Sequence, residues 1–378
     1  MSLRTSSLYG YPLCRNVYDV VWISQPIFFQ LLTFTMTTNS KVALITGISS
    51  NLGINIAYRL LDESDPAMKL TIIVTSRTFR KAKELIELIN EYANSKAESR
   101  TGTVEFDYLL VDFTDMVSVL SAYYDLHLKY KSIDYVFVNA AQGVYSGIDW
   151  VGACKQILRN PVEGVSFPDY KLQRVGVKTA DGMGLVFQAN VFGPFYLIHK
   201  IKHLLKGGSV VWISSLMSKP KYLSFDDLQL LRSPESYEGS KRLVDLMHMG
   251  LYQELEKIHV NQYVVEPGIF TSFSFFQYLN VFTYYGMLML FYLARLLGSP
   301  HHTISGYKAA NAPVSCALSQ EPKNVKLGSA TSRTGGEYLI RHDIDPTGAE
   351  DVAAYLNRLC DEWDEKLKDQ ITETRQKV

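Results

Sequence analysis

From Lys41 onward the chain alternates short runs rich in β-branched residues with longer stretches of helical apolar spacing, which restricts it to a parallel sheet with helices on both faces. Runs at 41–46, 70–76, 106–111, 133–138, 208–214 and 260–265 read as strands, and helical patterns near 52–63, 79–92, 115–130, 184–206 and 235–256 lie between them. The expected fold is α/β, a doubly wound parallel sheet of the Rossmann type. No Pro/Gly/Ser-rich linker interrupts the alternation, so a single domain with insertions is expected over 36–315. A C-terminal extension, 316–378, follows it; its highly charged helix at about 349–372 is expected to pack outside the sheet or on a partner.

Composition narrows the partners. With 38 Lys plus Arg against 38 Asp plus Glu there is no basic field to collect phosphates, and nucleic acid is not expected to bind. Cys14, Cys154, Cys316 and Cys360 are widely spaced without a CxxC pair, so neither a disulfide framework nor a metal site is expected, and a reducing compartment fits best. Val20–Met36 is apolar but short and interrupted by Gln25, Pro26 and Gln30, which makes it a poor spanning helix. Met36 looks like a natural start, so 1–35 reads as an upstream extension or disordered tail ahead of the alternative, a membrane-targeting segment. Phe273–Ala294 carries no charge and is long enough to touch or enter a membrane.

The first strand runs straight into Thr46-Gly47-Ile48-Ser49-Ser50-Asn51-Leu52-Gly53, after which a helical pattern begins. Such a turn lets backbone N–H groups at a helix N-terminus approach a pyrophosphate. It resembles the TGxxxGxG pattern of the short-chain dehydrogenase/reductase family, with Asn51 in place of the middle glycine. Asn tolerates left-handed backbone angles better than most residues, so the turn is expected to survive. After the second strand comes Ser76-Arg77, where an NAD-preferring protein more often has an acidic residue. Arg77 suits a 2′-phosphate, so NADPH is expected over NADH, with Arg80 or Lys83 as helpers. The resemblance further implies that Asp112, ending the third strand, accepts from the adenine amino group, and that Val138-Asn139-Ala140-Ala141 corresponds to the family's NNAG, with Val138 in place of its first Asn and Ala141 in place of its Gly, so that Asn139 is the residue carried over.

Tyr237-Glu238-Gly239-Ser240-Lys241 matches YxxxK, and four-residue spacing puts phenol and ammonium on one helical face. A phenol titrates near 10, so a cation beside it brings proton transfer toward working range. The family resemblance implies the remaining roles: Ser215 binds the carbonyl, with Ser214 as the alternative; Asn190 serves a proton relay; Pro267, Gly268 and Thr271 hold the nicotinamide carboxamide. Between Ser215 and Tyr237 lies an insertion, SKPKYLSFDDLQLLRSP, expected to shape the substrate pocket.

Segments such as VTSRTFRKAKELI, VNAAQGVYSGIDW, QANVFGPF, YEGSKRLVDL and NQYVVEPGIFTS resemble the fungal 3-keto sterol reductases of ergosterol biosynthesis, from about Met36 to the C-terminus. That resemblance implies reduction of the C3 ketone of a C4-demethylated sterol to the 3β-alcohol. It implies work on the cytosolic face of the endoplasmic reticulum membrane and on lipid droplets, beside a C4 oxidase, a decarboxylase, a membrane scaffold and the oxidosqualene cyclase. Phe273–Ala294 is then expected both to wall the sterol site and to dock on the membrane surface. Two other readings stand: a reductase of another lipid or steroid ketone, and a non-catalytic scaffold that keeps the fold.

Overall fold

The structure, a computed structural model, describes residues 39–271 and 279–369. Its strands are β1 (Ser40–Ile45), β2 (Lys69–Ser76), β3 (Val104–Leu110), β4 (Tyr135–Val138), β5 (Tyr145–Ile148), β6 (Lys171–Gln173), β7 (Ser209–Ile213), β8 (Asn261–Glu266), β9 (Lys326–Thr331) and β10 (Glu337–His342). Eight of them form one sheet in the order β10-β9-β8-β7-β4-β1-β2-β3, while β5 and β6 pair separately. All neighbours from β3 across to β9 are parallel, and β10 closes the far edge antiparallel to β9.

Parallel strands covered on both faces have no solvent side, which is why β7 is buried throughout and reads as a continuous apolar run rather than an alternation. Leu44, Val136, Val210, Trp212 and Val264 point to one face, against the helices Met116–Lys129, Gly193–Ile201 and Ser236–Lys257. Ala43, Ile45, Phe137, Val211 and Val265 point to the other, against Asn51–Glu63 and Asn311–Leu318. The order reverses at β1, whose neighbours are β2 on one side and β4 on the other. Connections leave in opposite directions there, opening a crevice at the strands' carboxyl ends where such folds bind ligands.

The sheet does not stop at position 315. β9 and β10 lie beyond it, with Val264, Val265 and Glu266 of β8 in register with Lys326, Leu327 and Gly328 of β9. Lys326–Thr331 is entirely buried yet reads KLGSAT, small and polar residues without a β-branched run, so periodicity gives no sign of it. The final helix, Ala349–Leu367, packs on Ser236–Lys257 of the same chain rather than waiting for a partner. Val352, Leu356, Cys360 and Trp363 face inward, and the two helices approach so closely that a Cβ at Gly250 would stand 2.6 Å from the Ala349 carbonyl oxygen. The expected segment 1–35 and positions 273–278 of the apolar stretch lie outside the described residues.

If the last helix is integral to the core, Leu356→Ala, at a fully buried position, lowers unfolding stability by about 2–5 kcal/mol in urea titration. A loss below about 0.5 kcal/mol, the range of an exposed substitution, contradicts that packing.

Candidate active site

The turn after β1 is held by backbone geometry and one buried amide. Gly47 has φ +62, and a Cβ there would sit 2.7 Å from the Ala140 Cα, so glycine is required both for the left-handed angle and for the close approach. Asn139 Nδ2 donates to the carbonyls of Thr46 (3.0 Å) and Gly47 (2.9 Å) and to Ser50 Oγ (3.1 Å). The Thr46 hydroxyl accepts in return from the N–H groups of Asn139 (2.8 Å) and Ala140 (2.9 Å). Ser50 caps the following helix by accepting from Gly53 N–H at 3.0 Å. Asn51 is the first helical residue and is absent from the positions with positive φ, so its tolerance of left-handed angles is not what keeps the turn. Its side chain instead spans to the loop after β8, donating to Thr271 O at 2.6 Å.

A cleft of about 280 Å³ lies beyond this turn, lined by Gly47, Ser49, Ser76, Arg77, Lys81 and Asp112 among others. Among the described residues Arg77 has no carboxylate partner, and its exposed guanidinium stands at the cleft. Of the helpers expected there, Arg80 pairs with Glu84 (3.2 Å) and Lys83 with Glu87 (3.9 Å), and neither lines the cleft; Lys81 does. Asp112 is oriented by Thr114, whose N–H and hydroxyl both donate to Oδ1, at 2.9 and 2.7 Å.

Continuing from this cleft past Ala141 and Gln142 is a second cavity of about 620 Å³, where Asn51, Leu52, Asn139, Ser215, Tyr237 and Lys241 meet Pro267 and Gly268. The helix Ser236–Lys257 has no capping side chain of its own. Gln173 of β6 supplies the cap: its Oε1 accepts from Tyr237 N–H (3.0 Å) and its Nε2 donates to Glu238 (2.6 Å). Lys241 sits over the Tyr237 ring, 5.6 Å from its centroid, and donates to the Ile213 carbonyl at 2.8 Å. Burial pulls the Lys241 ammonium down to about 8, while nearby Asp245 works in the opposite direction. Burial, with Glu238 beside it, pushes the Tyr237 phenol up to about 12. In the free protein burial of the phenol thus outweighs the lowering that the four-residue spacing suggests.

The two serines at the end of β7 part company. Ser215 lines the cavity, its Oγ accepting from Met217 N–H at 3.1 Å. Ser214 also lines this cavity, but its hydroxyl is turned to the buried side, donating to Asp245 Oδ1 at 2.5 Å, and it does not reach the neighbouring apolar chamber. Asp245 Oδ2 also accepts from Ser218 Oγ (2.6 Å) and from Lys326 Nζ (2.8 Å), and Lys326 in turn donates to the Ser215 carbonyl at 3.2 Å. This buried pair, unmarked by any sequence motif, supports the serine from beneath. Asn190 is buried inside a π-helical turn, Gln188–Phe192, where Oδ1 accepts from Gln142 N–H (2.7 Å) and Nδ2 donates to Gln142 O and Ser240 Oγ, both at 3.0 Å. π-turns of this kind cluster at functional sites. Thr46, Gly53, Asn190 and Thr271 shape the site from behind and do not line either cavity.

A third cavity, about 390 Å³ and largely apolar, opens on the same Ser215 and Tyr237. Its walls are Ile148–Tyr170 and the helix Val281–Leu296, through residues such as Trp150, Ile157, Val165, Met287, Leu290 and Phe291. The insertion at 218–234 does not shape this cavity: Leu216 and Met217, which line it, precede the insertion, and no residue of 218–234 does. The insertion braces the scaffold instead: Gly239 packs under its Leu230 and Tyr222, and Gln229 donates to the Tyr355 hydroxyl at 3.0 Å. Ile148–Tyr170 shows no motif and was not expected as a wall. Lys171, lining both the apolar and the polar cavity, was missed for the same reason.

Comparison with known proteins agrees with this geometry. A family profile described as short chain dehydrogenase matches residues 41–277. The chain is 70% identical over 340 residues to the 3-keto-steroid reductase of Debaryomyces hansenii, covering 89% of this chain and 98% of that one. It is 58% identical to the 3-keto-steroid reductase ERG27 of Saccharomyces cerevisiae, over 89% of this chain and 99% of the relative. Among solved structures, a 7α-hydroxysteroid dehydrogenase complexed with NADH and 7-oxo glycochenodeoxycholic acid superposes with a TM-score of 0.50 at 16% identity, covering 79% of this chain and 96% of that one, a likeness of fold. With its YxxxK helix, its glycine turn and the profile match over most of the sheet, the chain belongs to the short-chain dehydrogenase family of nicotinamide-dependent oxidoreductases.

Proposed function

We propose that the protein is an NADPH-dependent 3-keto sterol reductase, acting on the C3 ketone of C4-demethylated intermediates in ergosterol biosynthesis. The observation that carries this reading is the meeting of two unlike cavities at one point: a polar cleft shaped for a dinucleotide and an apolar chamber share Ser215 and Tyr237. A tetracyclic ketone fits that division, its apolar body in the chamber and its single polar atom at the junction. The names of the fungal relatives support the same substrate class.

The cleft fits a dinucleotide on its own evidence. A helix N-terminus faces it, Gly47 brings the turn's backbone against Ala140, and Asp112 and Arg77 stand at the far end. When bound, the nicotinamide supplies the hydride that adds to the carbonyl carbon. Tyr237 donates the phenolic proton to the carbonyl oxygen, and Ser215 holds that oxygen by a hydrogen bond. Lys241 keeps the phenol's surroundings cationic and binds ribose hydroxyls. Asn190 joins the π-turn to the catalytic helix through Ser240 and stands on the route of proton return. Asn139, Asn51 and Leu52 shape the phosphate turn, and Pro267, Gly268 and Thr271 the carboxamide end. Arg77, aided by Lys81, takes the 2′-phosphate.

A sterol is held in lipid, and the outer face of Val281–Leu296 supplies a contact with it. Phe282, Tyr285, Met289, Tyr292 and Leu296 recur at helical spacing and are all at least half exposed, opposite the residues that wall the chamber. Among the described residues no helix is long and apolar enough to cross a membrane. The exposed apolar face of this one suits a helix lying in the plane of the surface. The reading places the protein peripherally on the cytosolic face of the endoplasmic reticulum and on lipid droplets, beside the C4 oxidase, decarboxylase and scaffold of sterol C4 demethylation and the oxidosqualene cyclase.

Assayed with NADPH and a C4-demethylated 3-keto sterol, Tyr237→Phe loses about 10²–10⁴-fold in kcat; activity within a few-fold of wild type rejects the acid assignment. Arg77→Glu raises KM for NADPH about tenfold or more, as expected for loss of a charge-assisted contact worth about 1.5–3 kcal/mol, and leaves KM for NADH within a few-fold. Equal losses with both cofactors would remove Arg77 from 2′-phosphate recognition. Tyr285→Glu combined with Met289→Glu reduces co-flotation with phospholipid vesicles while reduction of detergent-solubilised sterol persists; undiminished flotation rules out this docking face.

A further inference from the structure

We propose that Glu266, His301 and His342 form a binding site for one divalent transition-metal ion of the zinc type, separate from the reacting atoms. Glu266 ends β8 and His342 ends β10, two strands away, while His301 lies in the loop after the helix Val281–Leu296. Their convergence depends on the strand between them. Gly328 of β9 is in register with both Glu266 and Ile340, and a Cβ there would fall 2.5 Å from Glu266 Oε1. With no side chain at 328, the carboxylate lies over β9 toward His342.

The distances suit a metal. Glu266 Oε1 is 3.1 Å from His342 Nε2 and 3.6 Å from His301 Nδ1, and one ligand atom from each residue falls within 4.8 Å of the others. Ligands about 2.0–2.1 Å from a tetrahedral ion stand roughly 3.3 Å apart, between the two values observed. Two imidazoles and one carboxylate select zinc-type ions over calcium or magnesium, which take oxygen ligands.

A second observation points to a ligand. Glu266 is fully buried, and its Oε2 has no hydrogen-bond partner; His301 Nδ1 is likewise buried without one. Folded proteins rarely leave a buried carboxylate oxygen and an imidazole nitrogen unmatched at one place. A cation held by Glu266 Oε1, His301 Nδ1 and His342 Nε2 gives the imidazole nitrogen its partner, and bidentate ligation by the carboxylate takes up Oε2 as well. The side chains of His301 and His342 are 19% and 31% exposed, so an ion has a path in.

Such an ion would fasten β8, β10 and the 299–304 loop together immediately before Pro267 and Gly268. His301 already touches that segment: its carbonyl accepts from Ile269 N–H at 2.6 Å, and a Cβ at Gly268 would meet the same oxygen at 2.5 Å. The site is thus a structural staple behind the loop that lines both the dinucleotide cleft and the apolar chamber.

The test uses the full chain, stripped with chelator and titrated with Co²⁺ and then Zn²⁺. Expected are the visible d–d bands of a four-coordinate Co²⁺ ion saturating at one equivalent, bleached by Zn²⁺, together with a higher thermal midpoint. His342→Ala, at a partly exposed position, weakens binding by more than the about 10–100-fold that follows loss of an outer-shell partner. His301→Gln does the same from the loop side, and decides the matter should the first variant fold poorly. No d–d bands in the wild-type chain, or an undiminished equivalent of metal in either variant, overturns the proposal.

Discussion

The active site rests on a buried carboxylate. Asp245, one turn beyond Lys241, receives Ser214, Ser218 and Lys326 at 2.5–2.8 Å and is almost wholly removed from solvent. Ion pairs buried this deeply add little to stability compared with apolar packing, yet removing one partner costs about 3–5 kcal/mol because the other is left charged and unmatched. The arrangement therefore acts as a locator. It fixes the end of β7, the catalytic helix and β9 with respect to one another, and through the Lys326 bond to the Ser215 carbonyl it reaches the site itself. β9 is thus no appendage: a lysine from position 326 supports a serine at 215.

That dependence explains what could be read from the sequence and what could not. Strands β1, β2, β4, β7 and β8 stand out because burial on both faces demands apolar, β-branched runs, edge strand β3 (VEFDYLL) keeps only a weaker apolar pattern, and YxxxK stands out because four residues make about one helical turn. β9 escaped notice because it needs little side-chain volume: Gly328 must be bare beside Glu266, and Ser329 is used to bond Ala312 N–H and the Ala309 carbonyl. The small antiparallel pair β5 and β6 is too short for any period to register, yet Gln173 within it caps the catalytic helix. Serine choice shows the same limit. Ser214 and Ser215 both line the polar cavity, but Ser214 Oγ is committed to Asp245 and only Ser215 also opens on the apolar chamber, a division that adjacency in sequence does not display.

The helix Val281–Leu296 has apolar residues on both sides, an unusual condition for a helix at the surface of a folded chain. Each side meets a different need. Met287, Leu290 and Phe291 close the chamber, and Phe291 with Ala294 anchors the helix on Val165 and Ile304. The opposite side remains exposed. A single wall between an apolar chamber and an apolar outer surface shortens the route that a water-insoluble ketone travels.

Asn51 stands where the family pattern has glycine, and its amide joins the phosphate turn to Thr271 at the root of the segment leading into that wall. Asn55 braces it from the next turn, donating to both its backbone and its side-chain oxygen at 2.7 and 2.9 Å. A glycine would leave those two loops free to breathe separately. With the asparagine in place, the turn under the polar cleft and the start of the loop after β8 are pinned together by one side chain.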